Sequence, residues 1–430
     1  MDCLRRIGVR SKKDAAILSL VLVFCCAVTA ILIASLQGLL NPPPWEPSLP
    51  SLISLASASV MITVTFMWIF LGACSLFYRP PAMPEREVES PMVSAIIPAH
   101  NEERVVADLV TDLLNQSYRR LEVIVVAHNC TDGTEEVLRG ISDPRLKVYR
   151  LRTRESGKAL ALNYGVSMAS GEIIAEFDAD NRIKDPDMIR KALKYFEYLN
   201  ADVVQARLET KNGDFNLLTK YQEFEYKVFS HLFWAGRNVL KLPCTLGGTG
   251  VFFRRSILEK VGFWDNELTE DYAMFCKLSH ARAKILYAPD VVCYDEKPAY
   301  WSMLFRQRSR WVKGHMNLIP KWIFRWTGLL DLIYLLAPLA NLAWYVSTSL
   351  ILLHLLTGVS FWYPPVAVWF LGTLASILIL YGILRKTGCS GMKRYIPLYY
   401  AFSFHWLVLF PLSFFVKSWG ATKTAHGEGL

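Results

Sequence analysis

No two of the nine cysteines in this 430-residue chain form a C-x-x-C pair. They are scattered at positions 3, 25, 26, 74, 130, 244, 276, 293 and 389. That spacing excludes a cysteine zinc site and a disulfide framework, and points to reduced thiols. Acidic residues are the minority charge: 38 Asp and Glu stand against 47 Lys and Arg, a formal net charge of +9. No RNA- or DNA-binding motif accompanies the basic excess, so nucleic acid is not expected as a partner. The basic residues instead gather beside apolar runs. Arg5, Arg6, Arg10, Lys12 and Lys13 precede the first, Lys321 and Arg325 precede another, and Arg385, Lys386, Lys393 and Arg394 separate two more. Such clusters mark the cytoplasmic side of membrane spans. Internal repeats and low-complexity tracts are also missing, which excludes solenoids, while Pro80, Pro81 and Pro84 read as a stiff linker after the second apolar run.

What the chain has in quantity is apolar residues. They make up 53% of it, with a mean hydropathy of +0.24. They are concentrated in residues 15–40, 52–78, 329–357, 361–384 and 395–419, each long enough to cross a bilayer, which takes about 20 residues. The loop opening with Asn41-Pro42-Pro43-Pro44 lacks Lys and Arg, as an external loop should. The expected organisation is two N-terminal transmembrane helices in 1–79 and a cytosolic domain over 91–297. Amphipathic interface helices follow over 298–327, then C-terminal transmembrane helices and a tail over 328–430. Five spans leave the C-terminus outside. The basic-aromatic stretch from Trp301 to Trp326 suits a helix lying in the membrane interface plane. The reading is a multi-pass protein of the plasma or inner membrane whose partners include the lipid bilayer.

Within the polar segment, 93–98, 121–126 and 146–151 read as strands, the first two buried. Residues 105–115 and the stretch after Gly157-Lys158-Ala159 read as helices. Strand and helix alternate at short spacing, predicting an α/β domain with a mostly parallel sheet covered on both faces.

Residues 172–177 alternate polar and apolar as a strand does, and end in Asp178-Ala179-Asp180 before a loop rich in Asn, Asp and Pro. Two carboxylates one residue apart at a strand tip repel each other unless a cation lies between them. Mg²⁺ or Mn²⁺ suits carboxylate oxygen and keeps open positions for phosphate. Thr269-Glu270-Asp271 precedes an apolar helix. Thr269 there reads as an N-cap, and the acids favour the helix's positive end. A carboxylate so placed is also a candidate general base. Gln307, Arg310 and Trp311 share one helical face at i, i+3 and i+4. Amide, guanidinium and indole together suit a sugar phosphate. The turn Leu246-Gly247-Gly248-Thr249-Gly250 permits close backbone approach to a ligand.

The order of these motifs resembles the membrane-bound glycosyltransferases of family 2, the group of the cellulose, chitin, hyaluronan and poly-N-acetylglucosamine synthases. VSAIIPAHNEE, VVAHNCTDGT, SGKALALN, DAD, GGTGVFFRRSIL, TED and QRSRW carry the likeness from about Val93 to Trp311. The resemblance implies a Rossmann-like GT-A domain and inverting transfer from a nucleotide-sugar. It implies Asp180 and Asp178 at the metal, Asp178 also near the nucleotide, and Asp271 as the base with Glu270 beside it. Pro98, Asn101, Glu102, His128, Lys158 and Arg310 would serve the donor. Gln307, Trp311, Gly248 and Thr249 would serve the acceptor. One departure stands out: the family pattern has a uracil-contacting Asp where this chain has Ala127-His128. The segment Trp419-Gly420-Ala421-Thr422-Lys423 is similar to cytosolic gating-loop segments of these synthases, which conflicts with five spans.

The expected function is extension of a polysaccharide from a UDP-sugar such as UDP-GlcNAc or UDP-glucose at the cytosolic membrane face. The alternative is transfer of one or a few sugars to a membrane lipid. A transporter with a dead domain is the rival from another class. Transporters carry ionisable residues at mid-membrane, and here only His354 and His405 are candidates, while every acidic motif is intact.

Overall fold

The computed structural model describes residues 9–16, 19, 44–86, 88, 91–322, 339–360, 362, 366–403 and 405–416. Most of the expected span 15–40 and the Trp419 segment lie outside the described residues.

Seven strands form one sheet: β1 (Val93–Ala99), β2 (Leu121–His128), β3 (Leu146–Leu151), β4 (Ile173–Glu176), β5 (Val203–Thr210), β6 (Val251–Arg254) and β7 (Ile285–Asp295). Their spatial order is β3-β2-β1-β4-β6-β5-β7. β1 pairs in parallel with β2 and β4, β2 with β3, and β5 with β7; β6 runs antiparallel to both β4 and β5. Six strands therefore point one way and only β6 is reversed. This is the expected mostly parallel sheet, with one reversed strand that local patterning did not reveal.

The reversal matters for the site. The carboxyl ends of β1, β2, β4 and β7 share one edge of the sheet, where α/β folds hold ligands. Because β6 runs backwards, the glycine turn before it enters from that same edge. Every residue of β2 and β4 is buried, Glu122, His128 and Glu176 included, as strands covered on both faces require, so the polar and apolar alternation read at 172–177 does not mark an exposed face within β4. Each buried Val or Ile contributes roughly 1.5–3 kcal/mol.

Apart from the short helix Gly236–Val239, the α-helices of the described residues are α1 (Leu49–Ser75), α2 (Val106–Leu114), α3 (Thr134–Arg139), α4 (Lys158–Met168), α5 (Met188–Leu199) and α6 (Leu217–Phe229). After these come α7 (Arg255–Val261), α8 (Glu270–His280), α9 (Trp301–Trp322), α10 (Leu339–Thr357), α11 (Val366–Lys386), α12 (Ile396–Ser403) and α13 (His405–Ser413). A π-helical stretch, Ser230–Ala235, continues α6. α9 belongs to the domain's wall as much as to any surface: Trp301, Leu304, Phe305 and Val312 are buried, packing with α6 and α13.

Among the described residues, one helix, α1, is long and apolar enough to cross a membrane. The expectation of several such spans is not met within the described residues. α10 and α11 lie against α1, with Ser347 Oγ donating to Ser57 Oγ at 2.9 Å and Lys386 Nζ donating to the Leu76 carbonyl.

Candidate active site

A cleft of about 200 Å³ opens at the shared sheet edge. Pro98, Glu102, His128, Lys158, Asp178, Asp180, Gly248, Thr249, Glu270, Asp271, Gln307, Arg310 and Trp311 all line it. Residues as far apart as Pro98 and Trp311 thus meet in one cavity. Asn101 alone of the expected site residues does not line it. Asn101 takes a left-handed backbone (φ 61°), which Asn tolerates, and its Oδ1 accepts from the Thr131 amide at 2.7 Å. Its local role is to shape the turn after β1.

Lys158, the first residue of α4, is the hub of the cleft floor. Its ammonium lies 2.9 Å from Glu176 Oε1, 2.7 Å from Asp178 Oδ1 and 3.7 Å from Glu270 Oε1, and donates to the Gly248 carbonyl. Burial opposes its charge, but the three carboxylates together hold its pKa well above the ordinary lysine value. Burial pushes the Glu176 carboxyl up to about 8, against the pull of Lys158. Burial likewise raises Asp178, Glu270 and Asp271, with Lys158 opposing in each case.

The segment leading into α8 and the helix α9 are strapped together. Arg310 Nη1 donates to the Leu268 carbonyl at 2.8 Å, the His315 ring stacks on Tyr272 with centroids 4.2 Å apart, and Lys321 pairs with Glu267. A Cβ on Gly314 would sit 2.5 Å from the Thr269 side chain, so only glycine allows this approach. Thr269 occupies the N-cap position of α8, yet its side chain makes no capping bond, contrary to the sequence expectation. Its Oγ1 is buried with no hydrogen-bond partner among the described residues. The turn is instead shaped by Asp271 Oδ1, which accepts from the Tyr272 amide at 2.8 Å. Gly248 holds φ +76°, and a Cβ there would meet Asp271 Oδ2 at 3.1 Å.

The two arginines of QRSRW point in different directions. Arg310 faces the cleft, while Arg308 is buried and pairs with Glu225 of α6, Nη1 to Oε1 at 3.0 Å, and with His405 at 2.7 Å. His128 is buried, its Nε2 2.6 Å from Thr153 Oγ1; burial and then the neighbouring His100 hold its pKa below the ordinary value.

Sequence reasoning missed several lining residues. His100, Tyr226, Asp295 and Glu296 all border the cleft. Asp295 and Glu296 stand at the tip of β7 as Asp178 does at the tip of β4, so the same strand-tip signal was available. Tyr226 had no local signal, since it sits mid-helix on α6.

Among the described residues no cluster of three or more His, Cys, Asp or Glu has metal-binding geometry. Mg²⁺ needs only one or two carboxylates when phosphate and water complete its shell. Seven carboxylate residues, Glu102, Asp178, Asp180, Glu270, Asp271, Asp295 and Glu296, line the cleft beside Lys158 and Arg310. Such an excess of anionic oxygen fits a hard divalent cation at Asp178 and Asp180.

Comparison with known proteins bears on the family and the fold. The sequence model described as glycosyltransferase like family 2 matches residues 91–314. A probable glycosyltransferase of Bacillus subtilis strain 168, YdaM, is 28% identical over 78% of this chain and 85% of its own length. The beta-monoglucosyldiacylglycerol synthase of Nostoc sp. PCC 7120 is 31% identical over 61% of this chain and 57% of its own. A poly-beta-1,6-N-acetyl-D-glucosamine synthase of Staphylococcus aureus is 26% identical over 54% of this chain and 56% of its own. The chain thus spans little more than half of these last two. In fold it is similar to the mannosyltransferase PcManGT of Pyrobaculum calidifontis, solved with GDP-Man and Mn²⁺, at a TM-score of 0.60. That likeness covers 85% of this chain and 98% of the other, at 19% identity.

Proposed function

Because the chain belongs to the glycosyltransferase-like family 2, a family of enzymes using nucleotide-sugars, we propose that it transfers a sugar with inversion from a UDP-sugar to a growing polysaccharide at the cytosolic membrane face. The observation that carries this reading is the meeting of Asp178, Asp180, Asp271, Gln307, Arg310 and Trp311 in one cleft. Inversion takes one displacement at the anomeric carbon, so it needs one base and no enzymic nucleophile.

Asp271 is the base in this scheme. It takes the proton of the acceptor hydroxyl as that oxygen attacks, and burial beside Lys158 tunes it for the task. Arg310 offsets charge on the leaving diphosphate, and its bond to the Leu268 carbonyl keeps the guanidinium beside the segment that leads into Asp271. Asp178 and Asp180 would hold Mg²⁺ or Mn²⁺, whose charge would further neutralise the leaving group. Trp311 offers an indole face to the acceptor sugar and Gln307 an amide to a hydroxyl. Pro98, Glu102 and His128 form the donor end. UDP-GlcNAc and UDP-glucose are the favoured donors.

The membrane setting is supported by exposed apolar side chains on the helices beside the domain. Leu52, Phe66 and Phe70 of α1, Leu352 and Leu356 of α10, and Leu371 and Leu378 of α11 are all exposed.

A second reading, transfer of one sugar to a membrane lipid, is favoured by the likeness to the Nostoc glucolipid synthase. Purified protein with labelled UDP-GlcNAc and UDP-glucose separates the two. A ladder of long products supports polymer extension, and a single lipid-linked sugar supports the lipid reading. No nucleotide release with any donor would overturn both.

A further inference from the structure

Thr249 was assigned above to the acceptor, but its hydroxyl is already committed. Its Oγ1 accepts from the Asp178 amide at 2.9 Å and donates to Asn181 Oδ1. The same Asn181 Oδ1 accepts from the Asp178 amide at 3.1 Å and from Cys293 Sγ at 3.4 Å. Asn181 is fully buried and Thr249 is 2% exposed. The Asp178 N–H is therefore shared between two oxygens that are themselves hydrogen-bonded to each other.

Gln205 of β5, also fully buried, fixes the other side of the turn. Its Oε1 accepts from the Gly247 amide at 2.7 Å, and its Nε2 donates to the Thr249 carbonyl at 3.1 Å. A continuous chain of bonds runs from β5 through the glycine turn to the backbone of Asp178.

We propose that Thr249 and Asn181 are positioning residues that aim the Asp178 and Asp180 carboxylates at a divalent cation, with Gln205 bracing the turn that carries Thr249. Two carboxylates on a loop hold a small ion only if the loop's backbone is immobile, because an octahedral shell at about 2.0–2.1 Å tolerates little drift. Groups behind a metal ligand set its orientation, and their loss weakens metal affinity about 10–100-fold. Gln205 is bonded at both ends of its amide, and the Asn181 Oδ1 takes three donors while its Nδ2 is buried with no partner among the described residues; breaking one of these bonds leaves a further buried polar group unpaired. The assignment rests on the metal-assisted reading above.

The test is Mn²⁺ binding to the full-length protein in detergent with UDP present, measured by calorimetry, alongside nucleotide release. Thr249→Val removes the hydroxyl at constant shape, and Thr249→Ser keeps it. The expected result is Mn²⁺ affinity about tenfold weaker in Thr249→Val, near-parental affinity in Thr249→Ser, and an unchanged acceptor KM at saturating Mn²⁺. Parental Mn²⁺ affinity with a raised acceptor KM in Thr249→Val would overturn the proposal and return Thr249 to the acceptor. If Thr249→Val fails to fold, Asn181→Asp is measured. It keeps the accepting oxygen, so Mn²⁺ affinity no weaker than parental is expected, and a tenfold loss counts against the assignment. A parent protein that binds no Mn²⁺ in the presence of UDP sinks the metal reading itself, a result distinct from either variant outcome.

Discussion

Lys158 Nζ lies 2.7 Å from Asp178 Oδ1 and in the same position reaches Glu176 at 2.9 Å. One ammonium at the start of α4 thereby joins the tip of β4 to the first turn of α8, where Glu270 stands 3.7 Å away. Removing the ammonium that contacts the buried Glu176 and Glu270 and the partly exposed Asp178 is the costly direction. Lys158→Met is expected to destabilise the fold by about 3–5 kcal/mol, the range for stranding a buried charge. Urea denaturation of the purified domain-bearing protein measures it, and a change below about 1 kcal/mol would show the pair to be dispensable.

Asp271→Asn should lower sugar transfer by about 10²–10⁴-fold, the usual contribution of a general base. Donor KM should hold steady, because the substitution removes a proton acceptor and not a phosphate contact. Burial raises the Asp271 pKa. A base works only when deprotonated, so the parental rate should decline as pH falls through a value above the ordinary carboxylate range. A pH–rate profile with its acid limb in the ordinary range would contradict the assignment.

The two arginines of QRSRW should separate cleanly. Arg308→Met strands the buried Glu225 carboxylate and is expected to cost about 3–5 kcal/mol of stability. Arg310→Lys keeps a charge at the cleft but loses the planar fork. It should leave thermal stability near parental while raising donor KM or lowering kcat. Parallel melting curves and initial rates distinguish the two variants.

Glu122 on β2 sets an acid limit on stability. Burial alone would raise its pKa, but Lys147 at 2.6 Å, Ser94 at 2.6 Å and Ser170 together hold it down to about 2. A carboxylate with a depressed folded pKa stabilises fully above its unfolded value, near 4.5. That contribution is lost as pH drops from there through about 2. Chemical denaturation at pH 7, 4 and 3 should give a slope that Glu122→Gln flattens. An unchanged slope in the variant would place the acid sensitivity elsewhere.

The sequence by itself determined the elements whose signal is local. The apolar runs of β1 and β2, the alternating strand that ends in acids at its tip, and the shared face of Gln307, Arg310 and Trp311 are local patterns of the kind set by strand and helix periods. Those periods depend only on neighbours along the chain. Tertiary structure alone decided which groups meet. Lys158 finds the Gly248 carbonyl 90 residues away and Thr249 finds the Asp178 amide 71 residues away. No local pattern encodes such pairs, because they depend on how the reversed strand β6 is inserted beside β4. The same holds for Arg308, which turns to Glu225 while Arg310, two residues on, turns to the cleft. Two positions on a helix sit about 200° apart, and only the packing partners α6 and α13 settle which face is interior.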